Sequence, residues 1–131
     1  MAFTPEELVF LAGHAIGRIA TASAKGVPDV AAVGFSVDDE DILVGGLDVT
    51  RTRKYHNTLE NPRASFVVDD ATLGDPAQPR GVKVTGIVTM EHDARGAVVM
   101  RIRPDTIWSW GLNPHAESHL GPIEKRPAHV D

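Results

Sequence analysis

Along most of this chain, apolar and polar residues alternate with a period of two, and that period predicts strands. From Pro28 to Val37, Ala31, Val33, Phe35 and Val37 take one face and Val30, Ala32, Gly34 and Ser36 the other, so one side is bulky and the other mostly small. Gly17 to Ser23 is joined to this segment by Ala24-Lys25-Gly26-Val27, a glycine-containing turn of hairpin length, which predicts an antiparallel pair. Ile42 to Gly46 follows the acidic turn Asp38-Asp39-Glu40-Asp41. Strand character resumes from Ala64 to Val68, from Val82 to Met90 and from Val98 to Arg103. Asp75 to Pro79 reads as a loop.

Two segments depart from the alternation. Thr4-Pro5-Glu6-Glu7 is a capping box with Pro at the first helical position, and Leu8, Leu11 and Ala12 carry a short helix to about Gly13. A second short helix begins near Thr50 and is stopped by Asn61-Pro62. At least six strands with so little helix predict a mainly β chain closed into an antiparallel barrel, because parallel strands need helical crossovers. Beyond Leu112, Asn113-Pro114, Gly121-Pro122 and Arg126-Pro127 interrupt a polar stretch. The expected organisation is a barrel domain over 1–112 and an irregular tail over 113–131.

Composition narrows the chemistry. The 131 residues suit a single domain, and 42% hydrophobic with 24% charged content is that of an ordinary soluble protein. There is no cysteine, which excludes a disulfide, a thiolate-held metal and a thiol nucleophile within the chain. Eighteen acidic against thirteen basic residues argue against broad nucleic-acid binding, which rests on neutralising many phosphates. Met1 to Glu7 shows neither a basic leader nor a long apolar stretch, so no signal peptide or membrane anchor is indicated and a cytoplasmic protein is expected.

Against the net charge of -5, the run Thr50-Arg51-Thr52-Arg53-Lys54 gathers three cations and two hydroxyls at the start of the second helix. Free backbone N–H groups and the partial positive charge of a helix start already suit a phosphate, and these side chains add donors. A phosphorylated ligand is one reading, and a solvated basic helix face or an ordinary cap is the other. The small face containing Gly34 admits a flat ligand or close packing at a barrel corner. Trp108 and Trp110 share one side of their strand, as a wall for a flat ring or as packing. His115 and His119, with Glu117 between them, have helical spacing for a metal, but no third ligand stands out and no metal is assigned.

In order and spacing, Gly17-Arg18-Ile19-Ala20-Thr21, Gly26-Val27-Pro28, Val33-Gly34-Phe35, Thr52-Arg53-Lys54 with Asn57, and Asn61-Pro62-Arg63-Ala64-Ser65 resemble the pyridoxamine-phosphate-oxidase-like family. Arg80 to Gly86 and Ile102 to Gly111 are similar to its actinobacterial branch that uses the deazaflavin coenzyme F-420. The resemblance covers about residues 4 to 112. It implies a split β-barrel of the FMN-binding type, homodimeric, with two cofactor sites lined by both chains. It places the cofactor phosphate on Thr52, Arg53 and Lys54, with Thr50 and Arg51 as helpers. The ring system falls to Ala32, Val33, Gly34 and Phe35 and to Gly45 and Gly46, and the partner chain contributes Arg80 and Trp110.

The flavin-binding oxidases of the wider family carry basic residues where this chain has Val33-Gly34-Phe35, and their substrate-phosphate Arg/His pair has no counterpart here, so pyridoxamine phosphate is not the expected substrate. The resemblance implies an F-420-dependent reductase that passes a hydride to a conjugated C=C, enone or quinone-type substrate. An FMN-binding oxidoreductase and a non-catalytic flavin- or tetrapyrrole-binding protein are the alternatives. Tyr55, His56 and His14 are the proton-donor candidates. A lone histidine is more often a surface or packing residue, and no catalytic residue is assigned.

Overall fold

A computed structural model describes residues 2–73, 77–112 and 123–129 of the chain. Helix α1 (Pro5–Ala12) leads into strands β1 (Ile16–Ala22), β2 (Pro28–Asp38) and β3 (Asp41–Val44). A 3-10 turn (Val49–Arg51) and helix α2 (Arg53–Glu60) precede β4 (Arg63–Thr72), β5 (Gln78–His92), β6 (Val98–Trp110) and β7 (Glu124–Pro127). The sheet runs β3-β2-β1-β4-β5-β6-β7 and β3 also pairs with β6, so six antiparallel strands close a barrel and β7 lies outside it on β6. Closure removes the open edges that would otherwise invite other strands.

The alternation in the sequence maps onto inside and outside. Val33 of β2 turns inward with Ile19, Ile42, Val44, Phe66, Val68, Val82, Val84, Met100, Ile102 and Ile107 to form the core. Phe35, half-buried, meets Phe66 edge-on at 5.2 Å. Val30, Ala32, Gly34 and Ser36 are exposed on the outer face.

The structure corrects four expectations. Gln78 and Pro79 are not loop: they start β5, where Thr72 accepts the Gln78 amide hydrogen bond at 3.1 Å; Asp75 and Pro76 lie outside the described residues. Strand β6 does not stop at Arg103. A bulge skips Asp105 between the pairs Thr85–Thr106 and Gly86–Pro104, so Pro104 and Ile107 both face inward and the alternation restarts with Trp108 and Trp110 outside. A Cβ on Gly86 would lie 2.1 Å from the Arg103 carbonyl oxygen, so the bulge needs glycine there.

Helix α2 proper starts at Arg53, with Thr52 as its cap and Thr50 and Arg51 in the preceding 3-10 turn. The tail is not irregular throughout. Glu124 to Arg126 pair with β6, and the Ala128 amide donates to the Asp105 carbonyl that the bulge leaves free, at 2.9 Å. Arg126 then donates to the buried carboxylate of Glu7 at 2.9 Å and to the Ala2 carbonyl at 2.7 Å, clasping the tail strand to α1. The sequence hid this strand because its polar residues are held by an edge and an ion pair, not by apolar burial.

Candidate active site

The anion candidate is built around the cap of α2. The Asp48 carboxylate accepts from the Thr50 amide at 3.1 Å and also takes the Thr50 hydroxyl, and Arg51 sits 3.4 Å from the same residue. Those groups are neutralised locally. Thr52 donates its hydroxyl to the Val49 carbonyl at 2.6 Å and accepts the Tyr55 amide at 3.4 Å, the ordinary work of a helix cap. Arg53 is exposed and makes no ion pair among the described residues.

Lys54 differs from the rest of the run. It is 9% exposed, and its ammonium has neither carboxylate nor hydrogen-bond partner among the described residues. No buried polar side-chain atom of the described residues is left unsatisfied, so the Lys54 stem is buried while its ammonium reaches solvent with no counter-charge beside it. The helix that carries it is fixed to the barrel, because Asn57 donates to the Thr21 hydroxyl of β1 at 3.0 Å inside the protein.

The expected ring-binding residues divide. Ala32 and Gly34 present a small, open surface on the outer face of β2, whereas the side chains of Val33 and Phe35 point into the core and leave only their backbone for a ligand. Gly45 and Gly46 are exposed in the loop between β3 and the 3-10 turn. The register sets Gly34 opposite Ile16, five residues along β1 from the Thr21 that anchors α2, while a Cβ on Gly46 would lie 3.9 Å from the Val49 side chain of the 3-10 turn.

Arg80 and Trp110 stand on β5 and β6, away from the α2 anchor. Thr21 marks the α2 end of β1, while Asp70, the register partner of Arg80, lies three residues past the Arg18–Val67 pair. At about 3.3 Å per residue this separates Arg80 from the α2 anchor by about 20 Å within one chain. Arg80 donates through Nε and Nη2 to Asp70 at 2.8 and 2.6 Å, and His14 Nε2 meets the same carboxylate at 2.7 Å. The Arg80 hydrogen bonds outweigh desolvation, His14 assists, and the Asp70 carboxyl is held below its ordinary range. Trp110 lies over Gly81, where a Cβ would come within 2.2 Å of its ring. Trp108, on the same face, has the Lys83 and Lys125 ammonium groups 4.2 and 5.4 Å from its ring centre. Pro79, Lys83, Trp108, Trp110 and Ile123 line a groove of about 550 Å³.

Of the proton-donor candidates, His14 has both ring nitrogens engaged, Nδ1 lying 2.7 Å from the Phe10 carbonyl oxygen. His56 is exposed and Tyr55 half-buried against it, with ring centres 5.4 Å apart. His115, Glu117 and His119 lie outside the described residues. Sequence reasoning missed Asp70 and Lys83 as members of these clusters, since only the β4–β5–β6 register brings them to Arg80 and Trp108. No helix among the described residues is long and apolar enough to cross a membrane.

Known proteins resemble this arrangement. The family described as pyridoxamine 5'-phosphate oxidase matches residues 3–111. A 5a,11a-dehydrotetracycline/5a,11a-dehydrooxytetracycline reductase of Streptomyces rimosus is 36% identical over 121 residues, spanning 86% of this chain and 85% of the reductase. Among solved structures, a conserved hypothetical protein of Mycobacterium tuberculosis superposes with a TM-score of 0.70 at 20% identity, over 88% of this chain and 92% of its own. A heme-binding protein of Mycobacterium smegmatis gives 0.71 at 12% identity, over 96% of this chain and 59% of its own, a likeness of fold alone. The barrel closed through β3 and β6, the matched span and the reductase relative agree: the chain belongs to the pyridoxamine 5'-phosphate oxidase-like split-barrel family, in the branch that resembles the tetracycline reductase.

Proposed function

We propose that this protein is an oxidoreductase of the split-barrel class that uses coenzyme F-420 to reduce a conjugated C=C, enone or quinone-type substrate. The observation that carries the reading is Lys54, whose stem is buried and whose ammonium has no carboxylate partner among the described residues, on a helix capped by Thr52. A phosphorylated cofactor supplies the missing anion. The Streptomyces relative, a reductase by name, supports the reaction class.

On this reading Lys54, Arg53 and Thr52 hold the cofactor phosphate, with Thr50 and Arg51 at its edge, and the open surface at Ala32 and Gly34 receives the ring system. The backbone of Val33 and Phe35 and the exposed Gly45 and Gly46 complete that wall. Arg80 and Trp110 are read as the contribution of a second protomer, as the family resemblance implies, and the working unit as a homodimer. When bound, the reduced deazaflavin supplies a hydride from its C5 position. The chain's part is to bind cofactor and substrate face to face and to exclude water between them. With both His14 nitrogens engaged, no side chain of the described residues is assigned to proton transfer.

The test is a fluorescence-quenching titration with F-420 and, in parallel, FMN, reading Trp108 and Trp110, followed by turnover with the reduced, preferred cofactor. Preferential F-420 binding and reduction of an enone or quinone support the proposal. Tighter FMN binding replaces F-420 by FMN in the same site, and binding of neither overturns the cofactor reading. A monomeric mass by light scattering at micromolar concentration overturns the shared site.

A further inference from the structure

We infer that the groove on the outer face of β5, β6 and β7 binds a flat aromatic anion, a phenolate, enolate or carboxylate on a fused-ring body, and that Lys83 and Lys125 select the charge. Its volume of about 550 Å³ is that of a small-molecule site.

The groove is aromatic by construction. The bulge at Asp105 turns both tryptophans of the chain away from the core. Gly81 then lets the Trp110 ring lie against the backbone of β5, since a Cβ there would come within 2.2 Å of it. Both rings are half-buried, with Pro79 and Ile123 as apolar walls. A planar ligand gains stacking area on such a surface.

The charge comes from the strand register. Lys83 of β5, Trp108 of β6 and Lys125 of β7 stand in one cross-strand row, with the two ammonium groups 4.2 and 5.4 Å from the Trp108 ring centre. They are thus within about 10 Å of each other, the reach of a charge at roughly 0.1 M salt, so both act on one anion. Neither has a carboxylate or a hydrogen-bond partner among the described residues. The nearby carboxylates are engaged elsewhere. Asp69, beside Gly81 in the register, faces Arg18 at 3.4 Å, and Asp105 accepts from Thr85 at 2.9 Å and stands 3.9 Å from Arg63. Glu124 alternates to the opposite face of β7 from Lys125.

Contact with the indole holds both ammonium groups in place and leaves their N–H donors free, so little side-chain order remains to be lost when an anion arrives. A neutral flat molecule obtains the stacking alone, and a non-aromatic anion the charges alone. Strand β7 acquires a task here, because the tail delivers both Lys125 and Ile123 to the groove. If Trp110 borders the partner's cofactor, Lys83 and Trp108 are the next row along the same two strands, and the groove holds the substrate against the ring, an assignment that rests on the proposed function.

The experiment measures, by titration calorimetry, the affinity of the full chain for anthracene-2-carboxylate, for its uncharged carboxamide and for the non-aromatic cyclohexanecarboxylate. The wild type is expected to bind the aromatic acid roughly tenfold more tightly than either of the others. Anthracene binding also quenches Trp108 and Trp110, the two tryptophans of the chain. Lys83→Gln and Lys125→Gln each reduce the preference for acid over carboxamide, the double variant abolishes it, and Lys83→Arg retains it. Lys25→Gln, in the turn between β1 and β2, leaves it unchanged. A preference that survives the double variant, equal binding of the three probes, or binding that leaves the tryptophan emission untouched overturns the proposal. Should Lys125→Gln release the tail strand, an undiminished preference in Lys83→Gln overturns it equally. Lys54→Met removes the contact proposed for the cofactor phosphate and leaves the probe affinities as they are. Failure of F-420 to bind, with the probe result intact, therefore leaves the groove standing without its place beside the cofactor, and loss of the anion preference with F-420 binding intact removes the groove alone.

Discussion

Replacing Lys54 with Met separates a functional lysine from a structural one, because the two roles give opposite signs in the cofactor-free protein. The substitution keeps most of the apolar stem of a residue that is 9% exposed and removes an ammonium unpaired among the described residues. Sealing an ammonium away from water costs several kcal/mol. No buried polar side-chain atom of the described residues is left wholly unsatisfied, so the Lys54 ammonium still reaches solvent and the cost it imposes is smaller. The variant is expected to gain about 1 kcal/mol, which raises Tm by about 4 °C in a domain of this size. Cofactor binding moves the other way: losing a charge-assisted contact costs about 1.5–3 kcal/mol, or roughly 10- to 150-fold in Kd. Urea unfolding without cofactor and a fluorescence titration with it measure both. A variant less stable than wild type, or one whose Kd is unchanged, refutes the argument that this lysine waits for an anion.

Other expectations concern the scaffold. Arg126→Ala leaves the Glu7 carboxylate, 1% exposed, without its partner, and is expected to cost about 3 kcal/mol in urea unfolding. Burial by itself raises the Glu7 pKa, but hydrogen bonds from Arg126, the Thr4 amide and Ser109 reverse the sign and leave it below 4.5. Its contribution is therefore complete above the unfolded carboxyl range and lost as pH falls through the lower folded value, so Glu7→Gln flattens the acid limb of stability against pH. Gly86→Ala places a methyl 2.1 Å from the Arg103 carbonyl oxygen and is expected to cost about 2–3 kcal/mol, read as a lowered Tm.

What the letters reveal here follows the range of the interaction. Strand β2 is legible because Val33, Phe35 and Val37 bury themselves at period two, and α1 because Thr4 and Glu7 form the reciprocal cap that their spacing announces. The second half of β6 is not, since parity alone puts Trp108 and Trp110 on the face of Met100 and Ile102, and the bulge at Asp105 turns them to the other side. The cation cluster at Thr50 to Lys54 is local and visible, but which of its members lacks a partner is not. Arg51 has Asp48 three residues away and Lys54 has none among the described residues. His14 and Asp70 are 56 positions apart, so their contact exists only once β1 and β4 have paired.

The clasp between Arg126 and Glu7 joins positions 119 residues apart, and that span governs when it forms. Closing a loop of that length in an open chain costs about 4 kcal/mol of entropy, more than one ion pair returns. The contact thus assembles only after β3 has met β6 and the barrel has already brought the two ends together. It is expected to be absent from the folding transition state, so that Arg126→Ala accelerates unfolding in stopped-flow measurements while the refolding rate stays close to that of the wild type. In this protein the residence time of the native state is set in part by a tail strand that plays no role in reaching it.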